Sequence, residues 1–313
     1  MAAHRHRPEV QRALAFIAGR LDAPLTAAEV ARAAHLSEFH LHRVFREAVG
    51  ETIGRFVTRR RLEVAALRLA YETDRTITDI ALSSGYSSSS NFTKAFTAYF
   101  GCSPSRVREP LAGLPPAIGH LTERHGKRFR PEELYTLPPE RADDERRELA
   151  QRWSARVRFE DAPARAFACL AGPGGYALDG LVETWVELIE RARQLRILTE
   201  EEVDAWGVAR DSPDITASEL CRYEACVPRA DGRSPLPAPL TSAAMPAGRY
   251  AVFRFEGRAD AVSEAYREVW SCWFPESSVA PADLVAWDHY ITDWPEDDGR
   301  TELELWFRVR PRR

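Results

Sequence analysis

The sequence predicts a multidomain chain: an all-α double helix-turn-helix domain followed by an α+β domain built from a duplicated β-α-β-β unit. Three observations support this prediction. Residues 1–110 repeat a pattern of short helix, turn and amphipathic helix. Residues 153–313 repeat an order of strand, helix and two strands. Between them, residues 111–152 lose hydrophobic periodicity and are rich in proline and charge, which is typical of a linker.

Length and composition are those of a soluble chain with two domains. At 313 residues the chain exceeds the usual size of one domain. No apolar run approaches the roughly 20 residues that a membrane span requires. The N-terminus lacks the apolar core and cleavage site of a signal peptide. We therefore expect a cytoplasmic protein that has no membrane partner.

The cysteines argue against a disulfide framework or a zinc site, because they are odd in number and form no Cys-x-x-Cys pair. The closest pair, Cys221 and Cys226, would point to opposite faces of a strand. We expect buried thiols, and the sequence predicts neither a metal nor a cofactor.

Positive charge is concentrated in the first third of the chain. Residues 1–110 contain 16 Lys and Arg against 11 Asp and Glu, whereas the remaining residues contain 27 against 36. The first third is therefore the part that could face a polyanion.

The first helix-turn-helix unit is predicted from capping signals. Thr26 and Glu29 have the spacing of a capping box, and Ser37 is placed to cap the next helix. In that helix, polar side chains alternate with apolar ones that would face a core. A short helix, a tight turn and an amphipathic helix with a polar N-terminal face are the elements that enter a DNA major groove.

A second unit of the same kind follows. Thr76 begins a short helix, Gly85 is the turn residue, and Ser87 or Ser88 caps a helix over about 89–100. A plain helical bundle without a DNA role would predict neither this repeat nor the basic faces. Double-stranded DNA is therefore the predicted partner.

A single helix is predicted between the two units, over 52–71. At 1.5 Å per residue it would be roughly 30 Å long. Successive major grooves on one face of DNA lie about 34–36 Å apart. Such a spacer could hold both recognition helices over adjacent grooves.

Motif residues of both units match a known family. They are Gly85, Tyr86, Asn91, Phe92, Lys94, Phe96, Phe100, Gly101, Ser103, Pro104 and Arg108, with Leu41, Arg43, Phe45, Gly50 and the basic run 59–61 upstream. On these residues, 8–108 resembles the AraC/XylS family of transcription regulators. The resemblance implies that RNA polymerase is a further partner. It also implies DNA contacts from the first recognition helix, by Phe39, His42, Arg43 and Arg46, and from the second, by Ser89, Ser90, Asn91 and Lys94.

The C-terminal half has a repeated order of elements. The first copy is predicted as two strands within 156–170, a helix, and two further strands near 206–211 and 221–227. The second copy begins at 245 and has a helix over 261–273 before its last two strands. A fold of two copies tends to have a groove along its pseudo-twofold axis, where sites commonly form.

Several short motifs of this half occur in one order and spacing. They are 211–214, Arg222, Tyr223, 246–252, Phe255, Gly257, the helix 266–273 and 288–290. On these residues, 155–310 resembles the GyrI-like effector-binding domain, and the order of the two domains resembles the Rob-type subgroup of AraC regulators. The resemblance implies an aromatic pocket with a buried acid that binds cationic or amphiphilic small-molecule effectors.

The acid position of that pocket falls on Asp288. Strand alternation places Asp288 and Tyr290 on one face, and Trp287 and His289 on the other. Aromatic faces attract desolvated cations, although each tryptophan could equally belong to the core. The candidates for the effector pocket are Asp288, Tyr290, Trp206, Trp270 and Trp273.

Two other functions stay open for this half. Some members of the effector-domain family are hydrolases of electrophilic compounds, but we find no nucleophile elbow, metal-ligand spacing or phosphate-binding loop. Asp288 and His289 are adjacent on a strand and would point apart, so they would not form a dyad. A purely structural partner-binding domain would have a filled core without a cavity. The sequence therefore favours a non-enzymatic sensor.

Overall fold

In a computed structural model, the structure describes residues 8–72, 74–108, 143–172, 178–199, 203–211, 221–230, 234–291 and 299–312. Seven helices form its N-terminal part. They are α1 (Pro8–Ala18), α2 (Ala27–Ala33), α3 (Glu38–Val49), α4 (Ile53–Tyr71), α5 (Ile77–Ser83), α6 (Ser89–Phe100) and α7 (Pro104–Val107). None of the described helices is both long and apolar enough to cross a membrane.

The helix starts follow the predicted caps. Thr26 and Glu29 form a complete capping box at α2, and Ser37 accepts a hydrogen bond from the His40 amide at α3. Thr76 caps α5 in the same way, and Ser88 rather than Ser87 caps α6. The two short-helix, turn and long-helix units are therefore present where the sequence predicts them.

Helix α4 belongs to the cores of both units. Its first turns place Ile53 and Phe56 among the buried residues of the first unit. Its last turns place Leu62 and Leu69 against Phe96 and the other inward phenylalanines of α6. At 19 residues, α4 is about 28 Å long. It is one continuous helix, as predicted.

Arg61 of α4 ties the two units together. Its guanidinium donates to the carbonyls of Leu21 at 2.9 Å and Ala23 at 2.6 Å, which follow α1. It also donates to the carbonyl of Gly85 at 3.1 Å, in the turn of the second unit. Gly85 has φ +78°, and a Cβ there would lie 2.5 Å from the Leu21 oxygen, so only glycine fits.

The C-terminal part is an eight-stranded antiparallel sheet with helices on one face. Its strands lie in the order β1-β6-β8-β7-β3-β4-β2-β5. Its helices are α8 (Asp143–Ser154), α9 (Leu178–Gln194) and α10 (Val262–Glu268), the last extended by a π-helical turn (Val269–Trp273) and a final turn (Phe274–Glu276). The strands are β1 (Val157–Ala162), β2 (Arg165–Ala171), β3 (Ala205–Ala209), β4 (Tyr223–Pro228), β5 (Thr241–Met245), β6 (Gly248–Arg258), β7 (Val279–Tyr290) and β8 (Arg300–Pro311).

The strand order contains the duplication. The first copy consists of β2, β3 and β4, and the second of β6, β7 and β8. In the sheet the second strands of the two copies, β3 and β7, are neighbours at the centre, and the third and first strands of each copy follow outward on either side. At this centre Gly207 of β3 lies opposite Asp288 of β7. Helix α9 packs on β2 and β4, and α10 packs on β6, all on the same side as Asp288. This confirms the predicted fold class.

Helix α8 begins inside the segment predicted as a linker and ends two residues beyond it. Residues 143–152 are helical, and Trp153 is buried in the core of the second copy. The Trp153 indole donates to Glu268 of α10 at 2.9 Å. This end of the predicted linker is therefore packed onto the sheet domain.

Candidate DNA-binding surface and effector cavity

The first recognition helix, α3, presents its polar face to solvent. Phe39 is 84% exposed, and His42, Arg43 and Arg46 are also exposed. The Arg43 guanidinium lies 3.3 Å from the carboxylate of Glu47. Because this pair is exposed, it contributes little stability and Arg43 can leave it at low cost. The large exposed ring of Phe39 is suited to contact with a thymine methyl group.

The second recognition helix, α6, has smaller polar groups at the corresponding positions. Ser90, Asn91 and Lys94 are exposed and Ser89 is half-buried. The Asn91 side chain donates to the Ser87 hydroxyl at 3.2 Å. Short side chains reach less far into a groove, so phosphate contacts and DNA shape would have a larger share at this half-site.

In the basic run at 59–61, Arg59 and Arg60 are buried and Arg61 is half-buried, and all three support the domain from within. Arg59 pairs with Glu51 at 2.6 Å and with Glu63 at 3.0 Å. Arg60 pairs with the same Glu63 at 2.7 Å, and Arg61 makes the three carbonyl contacts described above. These three arginines therefore contact other groups of the protein, although they contribute to the positive charge of the first third of the chain.

The two domains meet through a buried ion-pair network. Arg60 of α4 lies 2.5 Å from Asp211, which follows β3, and Arg222 holds the same carboxylate at 2.8 Å. Burial alone would raise the pKa of Asp211, but Arg222 and Arg60 outweigh it and lower that pKa. The Arg222 guanidinium also lies over the ring of Phe56 in the first unit, at 5.7 Å from the ring centre.

Two further contacts join the domains on the side of the second unit. Arg310 of β8 makes a two-pronged pair with Asp74, at 2.7 and 3.1 Å. Trp270 packs against both the core of the second unit and the core of the sheet domain. Contacts with both units fix how the sheet domain lies on the DNA-binding domain.

A cavity of about 980 Å³ lies between the two domains. The wall on the side of the DNA-binding domain is formed by α1, α4 and the residues after α1 and α5. Its other wall comes from α9, α10 and the helix-covered face of the sheet. The apolar and aromatic groups on its lining include Leu14, Leu21, Val64, Leu67, Trp185, Tyr266, Trp270 and Tyr290.

Asp288 is a buried acid on the lining of this cavity, as is the ion-paired Asp211. Asp288 is 4% exposed, and its carboxylate accepts a hydrogen bond from the Tyr266 hydroxyl at 2.5 Å. Burial raises the pKa of Asp288 to about 7, and the Tyr266 hydrogen bond opposes this only in part. Among the described residues, no Lys or Arg forms an ion pair with it.

Two tyrosines complete the polar group around Asp288. The hydroxyls of Tyr223 and Tyr290 lie 2.7 Å apart, and Trp185 packs edge-to-face on Tyr290 at 5.5 Å between ring centres. Tyr223 reaches this position only because Gly207 has no side chain, since a Cβ there would lie 1.8 Å from the Tyr223 hydroxyl. Burial raises the pKa of both tyrosines, so they stay protonated.

Two of the predicted pocket residues lie elsewhere. Trp206 is fully buried on the opposite face of the sheet, where it stacks on His289 at 4.3 Å between ring centres. Trp206 pairs with His289 in the strand register and therefore shares its face, away from Asp288. Trp273 packs edge-to-face on Phe253 in the sheet-domain core. Neither tryptophan lines the cavity.

The remaining candidates, Asp288, Tyr290 and Trp270, do line the cavity. Sequence reasoning missed Tyr266, Tyr223 and Trp185 there. Helical spacing could have found Tyr266, since it lies four residues before Trp270 and so on the same helix face. Trp185 carried no such signal, because its place depends on how α9 packs on the sheet.

Comparison with known proteins finds matches to both domains. A family model described as a helix-turn-helix domain matches residues 30–110, and one described as a GyrI-like small molecule binding domain matches residues 155–310. The regulatory protein SoxS of Escherichia coli K12 is 36% identical over 106 residues, which cover 34% of this chain and 98% of SoxS. The chain belongs to the AraC/XylS family of transcription regulators.

This AraC/XylS member is thus a DNA-binding transcription regulator that carries a GyrI-like small-molecule binding domain. The right origin-binding protein of Escherichia coli K12 is 39% identical over 95 residues, or 30% of this chain and 32% of that protein. That match spans about a third of the relative. The C-terminal domain of AraT from Geobacillus stearothermophilus is 31% identical with a TM-score of 0.32, covering 33% of this chain and 86% of the AraT domain.

Proposed function

We propose that this AraC/XylS regulator senses a lipophilic organic cation at Asp288 and reads its operator through α3 and α6. The DNA contacts would come from the residues of the two recognition faces, Phe39, His42, Arg43, Arg46, Ser89, Ser90, Asn91 and Lys94. RNA polymerase would be its partner in regulation. The observation that carries the effector class is a buried carboxylate, without a cationic partner among the described residues, on the lining of a cavity that also presents Trp185, Tyr266, Trp270 and Tyr290.

The preference for a cation follows from the cost of burying charge. An ionised carboxylate in such a site is unfavourable until an opposite charge arrives, which is why the pKa of Asp288 is raised. A bound cation would supply that charge and lower the pKa again. The ring faces of Tyr266, Tyr290 and Trp270 offer additional attraction for a desolvated cation.

A non-enzymatic role is supported by the groups around Asp288. Burial raises the pKa of the neighbouring Tyr223 and Tyr290 phenols, so these two are poor nucleophiles at neutral pH. His289 points to the opposite face, where it contacts Asp204 and Glu304. The cavity itself speaks against a purely structural domain with a filled interior.

The test compares a charged and a neutral ligand of similar shape. Calorimetry on the full chain would measure the affinities of tetraphenylphosphonium and of triphenylphosphine oxide. Asp288→Asn keeps the shape and removes the charge, so we expect it to weaken the cation by about 1–3 kcal/mol and leave the neutral compound nearly unchanged. DNA affinity without ligand should be unaffected, because the acid lies in the sensing domain.

A matched control removes another acid from the same cavity. Asp260 also lines the cavity but is exposed and paired with Arg258 at 3.0 Å, so Asp260→Asn should change neither affinity measurably. Equal weakening of both compounds by Asp288→Asn, or no binding of the cation at millimolar concentration, would remove Asp288 as the recognition charge.

A further inference from the structure

Helix α4 has two buried faces with different neighbours. One face, with Leu62, Ala65 and Leu69, lies in the core of the second unit. The other face lines the cavity with Arg60, Arg61, Val64, Leu67 and Arg68, of which Leu67 also packs against that core. The spacing of this second set is that of a single helical stripe, so one continuous side of α4 faces the cavity. The helix that supports both recognition helices is therefore also a wall of the effector cavity.

The DNA-binding domain contributes apolar side chains to the cavity lining. Val64 is half-buried on the cavity lining and belongs to none of the hydrophobic core clusters of the described residues. Leu14 and Leu21 add apolar surface from the first unit. The charged acceptor, Asp288, lies on the sheet. The acid thus comes from the sheet domain, whereas apolar contact is available from both domains.

The cavity is large enough for one ligand to contact both of its walls. At about 980 Å³ it lies at the upper end of the range of small-molecule sites. A small ammonium ion could satisfy Asp288 without leaving the sheet domain. A bulky ligand that fills the cavity would also contact α4.

We propose that the effector site is composite: the cationic group of the ligand binds at Asp288 and its apolar body packs on Val64 and Leu67 of α4. This inference rests on the proposed cation-sensing function. The ligand class is then narrowed to amphiphilic cations with a bulky apolar part. The effector bridges the sheet domain and the DNA-binding domain, and it stabilises the arrangement held by the Arg60–Asp211 pair.

A ligand that contacts both domains couples effector binding directly to operator binding. By linkage, if the ligand changes operator affinity by some factor, operator DNA changes ligand affinity by the same factor. A ligand held by the sheet domain alone would give no such coupling unless it moved the domains.

The test places substitutions on α4 and measures ligand binding in the full chain without DNA. The probes are tetraphenylphosphonium, which is bulky, and tetramethylammonium, which is small. Val64→Phe fills the part of the cavity next to α4 and is expected to weaken tetraphenylphosphonium at least about tenfold. Val64→Ala removes apolar contact with little risk to folding and is expected to weaken it about threefold to fivefold. Neither variant should change tetramethylammonium binding.

Thr58→Phe is the matched control, since Thr58 is exposed on α4 and is not part of the cavity lining. It should leave tetraphenylphosphonium binding within about twofold of the parent, because it adds the same ring outside the site. Thermal unfolding of each variant checks that the fold is retained. If Val64→Phe does not fold, Val64→Ala alone decides.

The outcomes separate the two proposals. If Asp288→Asn abolishes tetraphenylphosphonium binding while both Val64 variants bind it as the parent does, the ligand lies within the sheet domain and the composite site is wrong, although cation sensing stands. If tetraphenylphosphonium does not bind the parent chain at millimolar concentration, both proposals fail. Selective weakening by the Val64 variants, with no effect of Thr58→Phe, supports the composite site.

Discussion

Arg60 and Asp211 form an ion pair of 2.5 Å across the boundary between the DNA-binding domain and the sheet domain. Both side chains are almost fully buried, and Glu63 and Arg222 extend the pair into a network on either side. Breaking a buried pair by removing one partner is costly, because it leaves the other charge uncompensated. This contact is therefore the first place to test whether the two domains are held in one arrangement.

Asp211→Asn should lower the free energy of unfolding by about 3–5 kcal/mol, because Arg222 loses the carboxylate that it holds and Arg60 keeps only Glu63, which it shares with Arg59. Urea unfolding of the full chain measures this loss. Asp161→Asn is the control, since Asp161 is 78% exposed and pairs with Arg249 only at 3.7 Å. A similar small loss in both variants would mean that the Asp211 pair is not important for stability.

Arg61→Lys should loosen the relative orientation of the two helix-turn-helix units. A lysine cannot donate to the carbonyls of Leu21, Ala23 and Gly85 together, because it lacks the planar fork of arginine. We expect a footprint on a selected operator to lose protection in one half-site before the other. Arg12→Lys is a suitable control, since Arg12 makes one such bond, to the Ala34 carbonyl. Full protection of both half-sites by Arg61→Lys would contradict the role of this residue.

Arg43→Ala should reduce operator affinity by about 1–3 kcal/mol and relax specificity at one base position, as expected for a bidentate contact with guanine. Lys94→Ala should instead weaken operator and random duplex alike and reduce the salt slope by about one, as expected for a phosphate contact. Fluorescence anisotropy on both duplexes at several salt concentrations distinguishes these patterns. If Arg43→Ala weakened both duplexes equally, Arg43 would not be a base-reading residue.

The raised pKa of Asp288 predicts two pH effects. Between the ordinary value of 3.8 and about 7, the folded protein holds a proton that the unfolded chain has lost. Stability should therefore decrease as the pH rises through this window. Asp288→Asn does not titrate, so it should be more stable than the parent at pH 8, by roughly 1–3 kcal/mol, and similar to it below pH 4. Cation affinity of the parent should fall as the pH drops below about 7. Parallel stability curves for the two proteins would exclude a strongly shifted acid.

Local signals in the sequence predicted much of this fold. Hydroxyl caps such as Thr26 and Ser37 placed the helix starts because they act within one turn of the chain. Strand alternation placed Asp288 and Tyr290 together on the face that lines the cavity. These predictions succeeded because each depends on neighbours in the sequence.

Features that depend on distant contacts could not be predicted in this way. In the sequence, residues 59–61 form only a basic run. The ion pair of Arg60 with Asp211 has no local signal, because Asp211 lies about 150 residues later in the chain. Trp206 was expected in the pocket from its residue type, and only the register with His289 shows that it faces the other side. The part of the cavity wall that α4 supplies has no local signature either, because the other wall comes from the second domain.

The shared use of α4 restricts how this regulator could be rebuilt from parts. One side of α4 supports both recognition units, and another side carries Arg60 and Val64 toward the sheet domain. A chimera that replaced everything after residue 108 with another sensing domain would keep the operator-reading half but confront the new domain with a surface shaped for the old one. Exchange of sensing domains should therefore succeed only when the side of α4 that faces the sheet domain is exchanged with them.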